Sequence, residues 1–585
     1  MKIGIHMRKL LALLLALLLV SCNVPTETPQ ATSTTEAPST TAPAAQGLSI
    51  ITDGTANYRI VRGEKAPEKM TDAAISVRKM ISDATGVTPE ISTDWVKKGS
   101  EHDHTSLEIL VGPTDYSEST EALKDVPYGD YIITQVGNKI VINAWSAEAL
   151  TKACNAFRTL VRDHRENDDL ILPADLRVTG TGNKLVNQLP NCDSGTMSSI
   201  YDAGNDTWLV ILEDTTPDDY SAYQQKLASA GYTLYAENDI TDNHFATYIN
   251  DEYTLNVGYY AYEKAIRATV EPRNALPPRA EDNSYEKKVQ PCVAQFGLEY
   301  LGSEGDTTLA NGQSEAFQLA DGSYIVVDGG FPRDIDAKQL YEFMYDNAPD
   351  PNNITIAAWI ITHAHGDHSG AFKTFTQTYA SKVKLELMIC NFPSKTAKAE
   401  GGLSDGPDAD QIPNLVSSYP GAKFINAHAG QVYHLRDAKV EILYTLESFA
   451  PGVLDQYNTC SLIFKVELGG QSFLMLGDAT QDACQIAYNM YGDYLKSDFL
   501  QVAHHGFGVG SSTYTGVTSV YSTAAAPVIL WPCADRAFPT MYDRAPSRHL
   551  IELDSTKEIF VAGTRVIRLL LPYTAGTSGQ ESILK

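Results

Sequence analysis

Apolar residues recur along most of the chain with either helical or strand spacing, and this pattern divides it into predicted units. Over residues 69–85 the apolar positions follow helical spacing, and Gly86 predicts the end of that helix. Residues 131–136 and 139–145 have the pattern of two strands joined by a two-residue hairpin turn. We therefore predict a compact α/β domain over residues 47–178.

A second predicted unit, residues 185–275, combines one helix with tyrosine-rich strands. The helical pattern covers residues 218–230. The tyrosines of the strands suit either stacking on sugars or packing of a sheet face, and we favour packing. A stretch rich in proline and charge predicts a linker over residues 276–290. Beyond it helix and strand patterns alternate, so we predict a third, larger α/β domain over residues 291–585.

Residues 1–22 have the features of a targeting segment rather than of a folded domain. Basic residues precede an apolar stretch, residues 10–20, that is too short to span a bilayer. The stretch ends in Leu-Val-Ser-Cys, which resembles a bacterial lipobox and implies that Cys22 is lipidated. The alternative is an ordinary secretory peptide with an incidental cysteine. Residues 23–46, rich in Pro, Thr and Ser, predict a disordered tether, so we expect a lipid-anchored protein on the outer face of the cell membrane.

Composition and charge limit the possible partners. The chain has 585 residues, 43% of them hydrophobic and 20% charged, which is too long for one core and typical of globular domains. Its net charge of −27 argues against long DNA or RNA as a partner. The cysteines other than Cys22 are scattered, odd in number and without a CxxC pair, so no disulfide framework is predicted.

The chemistry concentrates in the sequence His-Ala-His-Gly-Asp-His at residues 363–368. An apolar run at residues 354–361 predicts a buried strand before it, and residues 369–380 predict a helix after it. Three imidazoles and a carboxylate would then share one loop at the end of a strand. Such a cluster is costly unless a metal organises it, so the pattern predicts a hydrolase with one or two bound cations.

Two further segments are predicted to bring ligands to the same rim. Gly469-Gly470 predicts a tight hairpin turn, and pairing outward from it places Asp478 near Asn458 at the open end of the hairpin. A carboxylate at the end of a buried strand needs a partner, which a cation would supply. His504 follows another apolar strand. We therefore expect several strand ends to deliver ligands to one site.

The order of these motifs resembles that of the metallo-β-lactamase superfamily. Residues 363–368 match its His-x-His-x-Asp-His signature, residues 328–330 its Asp-Gly-Gly and residues 477–478 its Gly-Asp motif. Residues 458–462 and the His-His-Gly at residues 504–506 resemble the ComEC-type branch. The resemblance implies an α/β fold class, in which a C-terminal metallo-β-lactamase αββα sandwich follows two small α/β domains. The first of these small domains resembles the accessory N-terminal domain of some glycoside hydrolases.

The resemblance also implies sites for two divalent metal ions, zinc first and manganese as the other possibility. The implied ligands are His363 and His365 for the first ion, Asp367, His368 and His504 for the second, and Asp478 as a bridge. Asn458, where many members have a third histidine, is a neutral oxygen donor and favours manganese or mixed occupancy. Asp328 is expected to support a ligand through hydrogen bonds rather than to bind metal. His505 remains an alternative to His504 as a ligand.

The implied chemistry is hydrolysis by a metal-activated bridging hydroxide. In this prediction Asp367 orients the nucleophile, and His505 protonates the leaving group if His504 is the ligand. The ComEC-like motifs favour a phosphoesterase or phosphodiesterase that acts outside the membrane on a small, wall-associated or membrane-associated ester. One alternative is a carboxyl-ester, lactone or amide hydrolase at the same site. Another is a non-enzymatic lipoprotein that binds a surface or a glycan.

Residues outside the motifs have less definite predicted roles. Tyr542, Arg544 and Arg548 fall where related proteins place substrate contacts, although a salt-bridged surface accounts for them equally well. His428 and His434 lie outside every motif, and we predict that both are structural.

Overall fold

The computed structural model describes residues 47–298, 311–403, 411–507 and 515–584. The predicted signal peptide, the tether and Cys22 lie outside the described residues. From Leu48 onward the contacts join the chain into one unit. Within the described ranges, every helix is too short or too polar to cross a membrane.

The N-terminal region, residues 47–188, is built around a mixed sheet with helices on both faces. Across this sheet the strands lie in the order Arg177–Thr181, Asp130–Val136, Lys139–Ala144, Glu108–Val111, Arg59–Arg62 and Ile91–Thr93. A smaller antiparallel sheet contains Thr55–Ala56, Leu48–Thr52, Asp169–Leu172 and Arg165–Glu166. The helices are Glu68–Thr85, Ser117–Leu123 and Ala147–Asp163. Val136 pairs with Lys139 and the first helix ends at Gly86, which confirms the predicted hairpin and helix end.

The middle region, residues 189–290, is an antiparallel sheet with one face covered by the helix Pro217–Ser229. Across the sheet its strands lie in the order Thr196–Gly204, Thr207–Glu213, Ala265–Pro272, Tyr253–Tyr260, Asn243–Ile249 and Thr233–Ile240. The helix begins at a capping box formed by Thr216 and Asp219. Tyr248 and Tyr259 of the strands are buried in the core between the helix and the sheet, together with Tyr220 and Tyr223 of the helix. These two strand tyrosines therefore pack the sheet face, as we predicted.

The C-terminal domain, residues 291–584, begins with a mixed sheet. Its strands lie in the order Lys423–Asn426, Leu387–Cys390, Ile354–Ile360, Tyr324–Asp328, Ser314–Gln318, Cys292–Phe296 and Val566–Leu570, and Val383–Leu385 also pairs with Ile354–Ile360. The first four strands in this order run parallel. Their carboxyl ends therefore lie at the same edge of the sheet. The loops that follow these strands come together at that edge.

A second sheet of the same domain packs against the first. Its strands lie in the order Val432–Leu435, Ala438–Tyr444, Ile463–Leu468, Gln471–Met475, Phe499–Gln501, Val528–Trp531, Glu558–Val561 and Ile583–Leu584. Leu468 pairs with Gln471 across Gly469-Gly470, so the predicted turn is confirmed. Continuing that register past Phe464 and Met475 brings Asp478 to the open end of the hairpin.

The layers of the C-terminal domain follow from its cores. Phe317 and Ile360 of the first sheet share a core with Phe464 and Phe473 of the second. Separate cores hold helices on the outer face of each sheet. The helices of this domain are Asp334–Asn347, Gly366–Tyr379, Lys395–Glu400, Ile412–Val416, Leu446–Phe449, Gln481–Tyr491, Thr515–Ala524, Phe538–Tyr542 and Ala545–Glu552. The predicted αββα sandwich is therefore confirmed.

The start of the helix that follows the first histidines differs from the prediction. The helix expected from residue 369 begins at Gly366, with His365 as its N-cap residue. Asp367 and His368 therefore lie in the first turn of a helix, and only His363 and His365 lie in the loop. A helical turn fixes the directions of these two side chains more firmly than a loop would.

Candidate metal centre

The first group of candidate ligands contains His363, His365 and Asp478, whose ligand atoms lie within 4.8 Å of one another. The Thr362 hydroxyl donates to the Asp328 carboxylate at 2.9 Å and lies 3.1 Å from His363 Nδ1. The Nδ1–H of His363 therefore donates to Thr362, and its Nε2 lone pair lies 3.0 Å from His365 Nδ1. Burial, with His368 alongside, lowers the pKa of His363 well below its ordinary value. This ring is neutral, as a metal ligand must be.

The second group contains Asp367, His368 and His505, also within 4.8 Å. His368 Nδ1 donates to the Asp328 carboxylate at 2.8 Å, and His505 Nδ1 donates to the Pro532 carbonyl at 2.7 Å. Both acceptors can only accept, so both Nε2 atoms carry lone pairs in the neutral rings. These two Nε2 atoms face each other at 3.2 Å. An added proton or a cation is therefore required between them.

Asp478 lies between the two groups. Its Oδ1 is 3.2 Å from His368 Nε2 and 3.4 Å from His505 Nε2. Its Oδ2 is 3.8 Å from His363 Nε2 and 3.6 Å from His504 Nε2. One buried carboxylate thus reaches both candidate positions, which is the placement that a bridging ligand requires.

Buried carboxylates dominate the electrostatics of this cluster. Burial opposes charging of the His505 ring, yet Asp478 and Asp367 outweigh it and raise the pKa of His505 to about 10. Burial likewise opposes charging of His368, but Asp478, Asp328 and Asp367 raise its pKa well above the ordinary value. The pKa of Asp478 is held well below its ordinary value, because the facing imidazoles overcome the effect of burial. The site therefore attracts positive charge, as protons or as cations.

The backbone around the cluster adopts conformations that residues other than glycine seldom take. Asp328, His504 and His505 have φ angles of 53°, 48° and 53°, in the left-handed region. Gly477 also has a positive φ, and a Cβ there would lie 2.8 Å from Thr362 Cβ. Such strain persists where the surrounding structure holds it, and it is concentrated at functional sites.

Gln501 is a supporting residue that the sequence analysis missed. Its Oε1 accepts from the backbone N–H groups of Leu476 and Gly477 at 2.8 and 2.7 Å, and its Nε2 donates to Gln313 at 3.0 Å. The side chain is fully buried. It therefore holds the turn that carries Asp478. A glutamine inside the apolar run at residues 499–503 was the available signal.

The structure separates the two adjacent histidines that the sequence left as alternatives. His505 belongs to the second group, whereas His504 lies outside both groups. The His504 side chain is 23% exposed, and its Nδ1 has no hydrogen-bond partner among the described residues. Burial lowers the pKa of His504, so its ring is neutral. His504 thus lies at the opening of the cluster, with an unused nitrogen.

Other predicted residues lie around the rim. Asn458 is buried in the 3-10 turn Tyr457–Cys460, and its Oδ1 has no hydrogen-bond partner in the described part of the chain. The Arg544 guanidinium lies over the Phe507 ring at 4.9 Å, and that ring is 5.5 Å from the His504 ring. Tyr542 and Arg548 are exposed. Arg544 is therefore the predicted substrate contact that the structure brings beside the cluster.

The donor set fits divalent cations. Lone pairs of His368 and His505 converge, carboxylates of Asp367 and Asp478 face the same space, and the distal nitrogens are held by Asp328 and a carbonyl. Metal-binding histidines are characteristically oriented in this way through their second nitrogen. Imidazole and carboxylate together suit first-row divalent ions such as zinc and manganese.

Comparison with known proteins bears on the C-terminal domain. Residues 316–506 match the family model described as the Metallo-beta-lactamase superfamily. Together with the two packed sheets, this match identifies a metallo-β-lactamase domain in the C-terminal part of the chain. ComE operon protein 3 of Bacillus subtilis (strain 168) is 25% identical over 149 residues, which are 26% of this chain and 17% of that protein. The chain thus spans about a sixth of the length of that relative.

Two of the solved structures similar to this chain share low sequence identity with it. The metallo-β-lactamase fold protein YhfI from Bacillus subtilis is 12% identical, with a TM-score of 0.31, over 48% of this chain and 100% of its own. The diiron β-hydroxylase CmlA from Streptomyces venezuelae is 13% identical, with a TM-score of 0.30, over 49% of this chain and 55% of its own. Likeness at this level bears on neither substrate nor metal.

Proposed function

We propose that this protein is a metal-dependent hydrolase of phosphoric esters, acting as a phosphoesterase or phosphodiesterase. The observation that carries the proposal is the position of Asp478 between two groups of imidazoles, each of which has lone pairs aimed at a common space. Cations bound there would supply Lewis acidity toward the scissile bond and toward an attacking water. Such a site hydrolyses esters without a covalent intermediate on the protein.

The residues of the chain divide the remaining work. His363 and His365 would hold the first ion, and Asp367, His368 and His505 would hold the second, with Asp478 shared by the two groups. This assignment uses His505 as a ligand, because its Nε2 faces His368 while its Nδ1 is fixed by the Pro532 carbonyl. His504 is left to contact the substrate, because its side chain is 23% exposed and lies outside both ligand groups. Asp328 fixes the tautomer of His368.

The positive charge of Arg544 beside the cluster supports an anionic substrate. Arg544 has no ion-pair partner among the described residues, although it lies over Phe507 at the edge of the site. An arginine recognises phosphate oxygens through its fixed donors. The net charge of −27 opposes a long polyanion but not a single phosphoester. A small, wall-associated or membrane-associated phosphoester therefore suits the charge distribution.

The test combines metal analysis with a matched set of substrates. The full chain in detergent should contain about two divalent ions per chain, as in other two-metal sites. It should hydrolyse bis-nitrophenyl phosphate faster than nitrophenyl acetate, and a strong chelator should remove both the metal and the activity. Activity that survives loss of the metal would overturn the proposal. A preference for the carboxylic ester would instead favour the ester, lactone or amide hydrolase.

Arg544 distinguishes phosphate recognition from general activity. Arg544→Ala should lower kcat/KM for the phosphodiester by about tenfold or more, since a charged hydrogen bond contributes about 1.5–3 kcal/mol. Hydrolysis of the neutral ester should change little. Arg548→Ala is the matched control, because Arg548 is exposed four residues further along the same segment. Equal losses on both substrates would indicate a structural role for Arg544.

We propose further that the protein is anchored to the outer face of the cell membrane by lipid on Cys22. The support is the apolar stretch at residues 10–20, the lipobox-like sequence after it and the polar residues 23–46. Labelled fatty acid supplied to the producing cells should enter the protein and should fail to enter Cys22→Ser. Release of unlabelled wild-type protein into the medium would contradict the anchor.

A further inference from the structure

A second pocket lies away from the metal centre, between the middle region and the C-terminal domain. This cavity of about 180 Å³ is partly open to solvent and separates the outer face of the middle sheet from the loop that follows the strand Lys423–Asn426. Asn256 of the strand Tyr253–Tyr260 lines it, and so does its neighbour Val257, which also packs in the core under the helix. None of the residues in the two metal-ligand groups lines it.

One buried nitrogen at this cavity has no hydrogen-bond partner in the described part of the chain. Asn256 is 8% exposed, and its Oδ1 accepts from Thr247 Oγ1 at 2.9 Å and from Gln431 Nε2 at 3.1 Å, but its Nδ2 donates to nothing. The nearby His428 ring differs, because its Nε2 faces Glu271 Oε1 at 3.6 Å. Buried donors without acceptors are rare because they cost free energy, so Asn256 calls for a polar occupant.

Most charged side chains at the cavity are already paired with one another, whereas Glu237, which has no ion pair among the described residues, is exposed to solvent. The Arg267 guanidinium pairs with Glu263 at 2.8 Å and donates to the carbonyls of residues 447 and 450. His428 Nδ1 pairs with Glu447 at 2.9 Å. A charged ligand would meet a balanced set of opposite charges and would gain little. The occupant is therefore neutral.

Size and lining narrow the class of occupant. An apolar cavity of about 150 Å³ accepts a benzene molecule, so a cavity of about 180 Å³ accepts a six-membered ring with small substituents. Phe245 and Tyr260 supply an apolar part of the lining, whereas Thr247, Asn256 and Gln431 supply donors and acceptors. We propose that this cavity binds a neutral polyhydroxylated ring of monosaccharide size, held by Asn256. This inference is independent of the proposed hydrolysis.

The experiment is titration of the full chain, in detergent, with glucose, N-acetylglucosamine and myo-inositol in turn. Saturation-transfer NMR and calorimetry should detect saturable binding of at least one of them at a single site. Asn256→Asp keeps the acceptor oxygen and removes the unpartnered donor, so it should weaken binding about tenfold, the effect of one lost hydrogen bond. Thr247→Leu narrows the cavity and removes the hydroxyl that orients Asn256, so it should weaken binding more strongly.

Controls separate this site from folding and from the metal centre. Asn138→Asp makes the same chemical change in an exposed hairpin turn and should leave the affinity unchanged. Asp478→Ala should also leave it unchanged. If Asn256→Asp fails to fold, Thr247→Leu decides the question alone. Absence of binding by all three probes, or equal binding by wild type and Thr247→Leu, would mean that the cavity holds water only.

Discussion

The C-terminal domain contains two buried clusters of imidazole and carboxylate, and they differ in what faces each nitrogen. Both follow parallel strands of one sheet, the metal centre after Ile354–Ile360 and His428 after Lys423–Asn426. In the metal centre, the nitrogens of His368 and His505 face each other at 3.2 Å. Around His428 each nitrogen faces a carboxylate, Glu447 at 2.9 Å and Glu271 at 3.6 Å.

This difference decides what each cluster binds. A doubly protonated ring satisfies the surroundings of His428, and its pKa is raised to about 10 because Glu447 and Glu271 outweigh the effect of burial. A single proton between His368 and His505 would not satisfy their surroundings, because other lone pairs and carboxylate oxygens face the same space. A buried histidine beside acids is therefore a metal ligand only where lone pairs converge, and the two clusters should respond differently to mutation, pH and chelation.

The largest expected effect is that of Asp478→Ala, which removes the carboxylate shared by both metal groups. The metal content should fall from about two ions per chain to well below one, as measured by plasma mass spectrometry. Activity should fall on the order of a thousandfold, since a metal-assisted step depends on several kcal/mol of charge stabilisation. The metal-free variant should also melt at a lower temperature than the metal-free wild type, because Asp478 compensates the charge of the protonated His368 and His505 rings when no cation is bound.

The matched control is Asp482→Ala, four residues further on and exposed in the first turn of the helix Gln481–Tyr491. It should keep full metal content and activity. If Asp478→Ala retains two ions, Asp478 is not a ligand shared by the two metal groups. The contrast with the His428 cluster would then not hold.

The contrast between the clusters also marks how far sequence reasoning reaches. The spacing of residues 363–368 predicted a shared site, because a strand end and a helix start are local features. The hairpin at Gly469-Gly470 predicted the position of Asp478, since pairing follows from a turn. The roles of His504 and His505 depend on left-handed backbone angles and on a carbonyl at Pro532. Such distant partners leave no local pattern, so sequence alone left both roles open.

The pairing of His428 was hidden for a related reason. Its partners Glu447 and Glu271 are distant in the chain, and Glu271 belongs to the middle region. The sequence indicated only that His428 lies outside every motif. Its predicted structural role agrees with the ion pairs, but the cavity beside it depends on contact between two regions, which no spacing within either region predicts.

The second expected effect is a loss of stability at His428. His428→Leu leaves the buried Glu447 and the partly buried Glu271 without this counter-charge, which should cost about 3–5 kcal/mol at neutral pH. The folded-state pKa is raised to about 10, above the ordinary value of about 6.5. The stabilisation is therefore complete below pH about 6.5 and disappears as the pH rises through about 10. The difference in Tm between wild type and variant should shrink over that range.

Metal content separates this loss from damage to the metal centre. His428→Leu should bind metal as wild type does, and a chelator should not change the pH dependence of its melting. His244→Gln is the control, because His244 pairs with Asp239 at the surface, where ion pairs contribute little. A difference in Tm that stays constant from pH 6.5 to 10 would show that His428 is neutral in the folded protein.

The smallest expected effect tests the orientation of one ligand. Asp328→Asn keeps the shape of the side chain but weakens the hold on His368 Nδ1, which Asp328 contacts at 2.8 Å. Loss of such a support lowers metal affinity by about 10–100-fold, as measured by competition with a coloured chelator. The second ion should be affected more than the first, because Asp328 contacts His368 directly and His363 only through Thr362. Asp346→Asn, exposed on the helix Asp334–Asn347, is the control. Unchanged competition would mean that His368 binds no metal. A proton, rather than a cation, would then lie between His368 and His505.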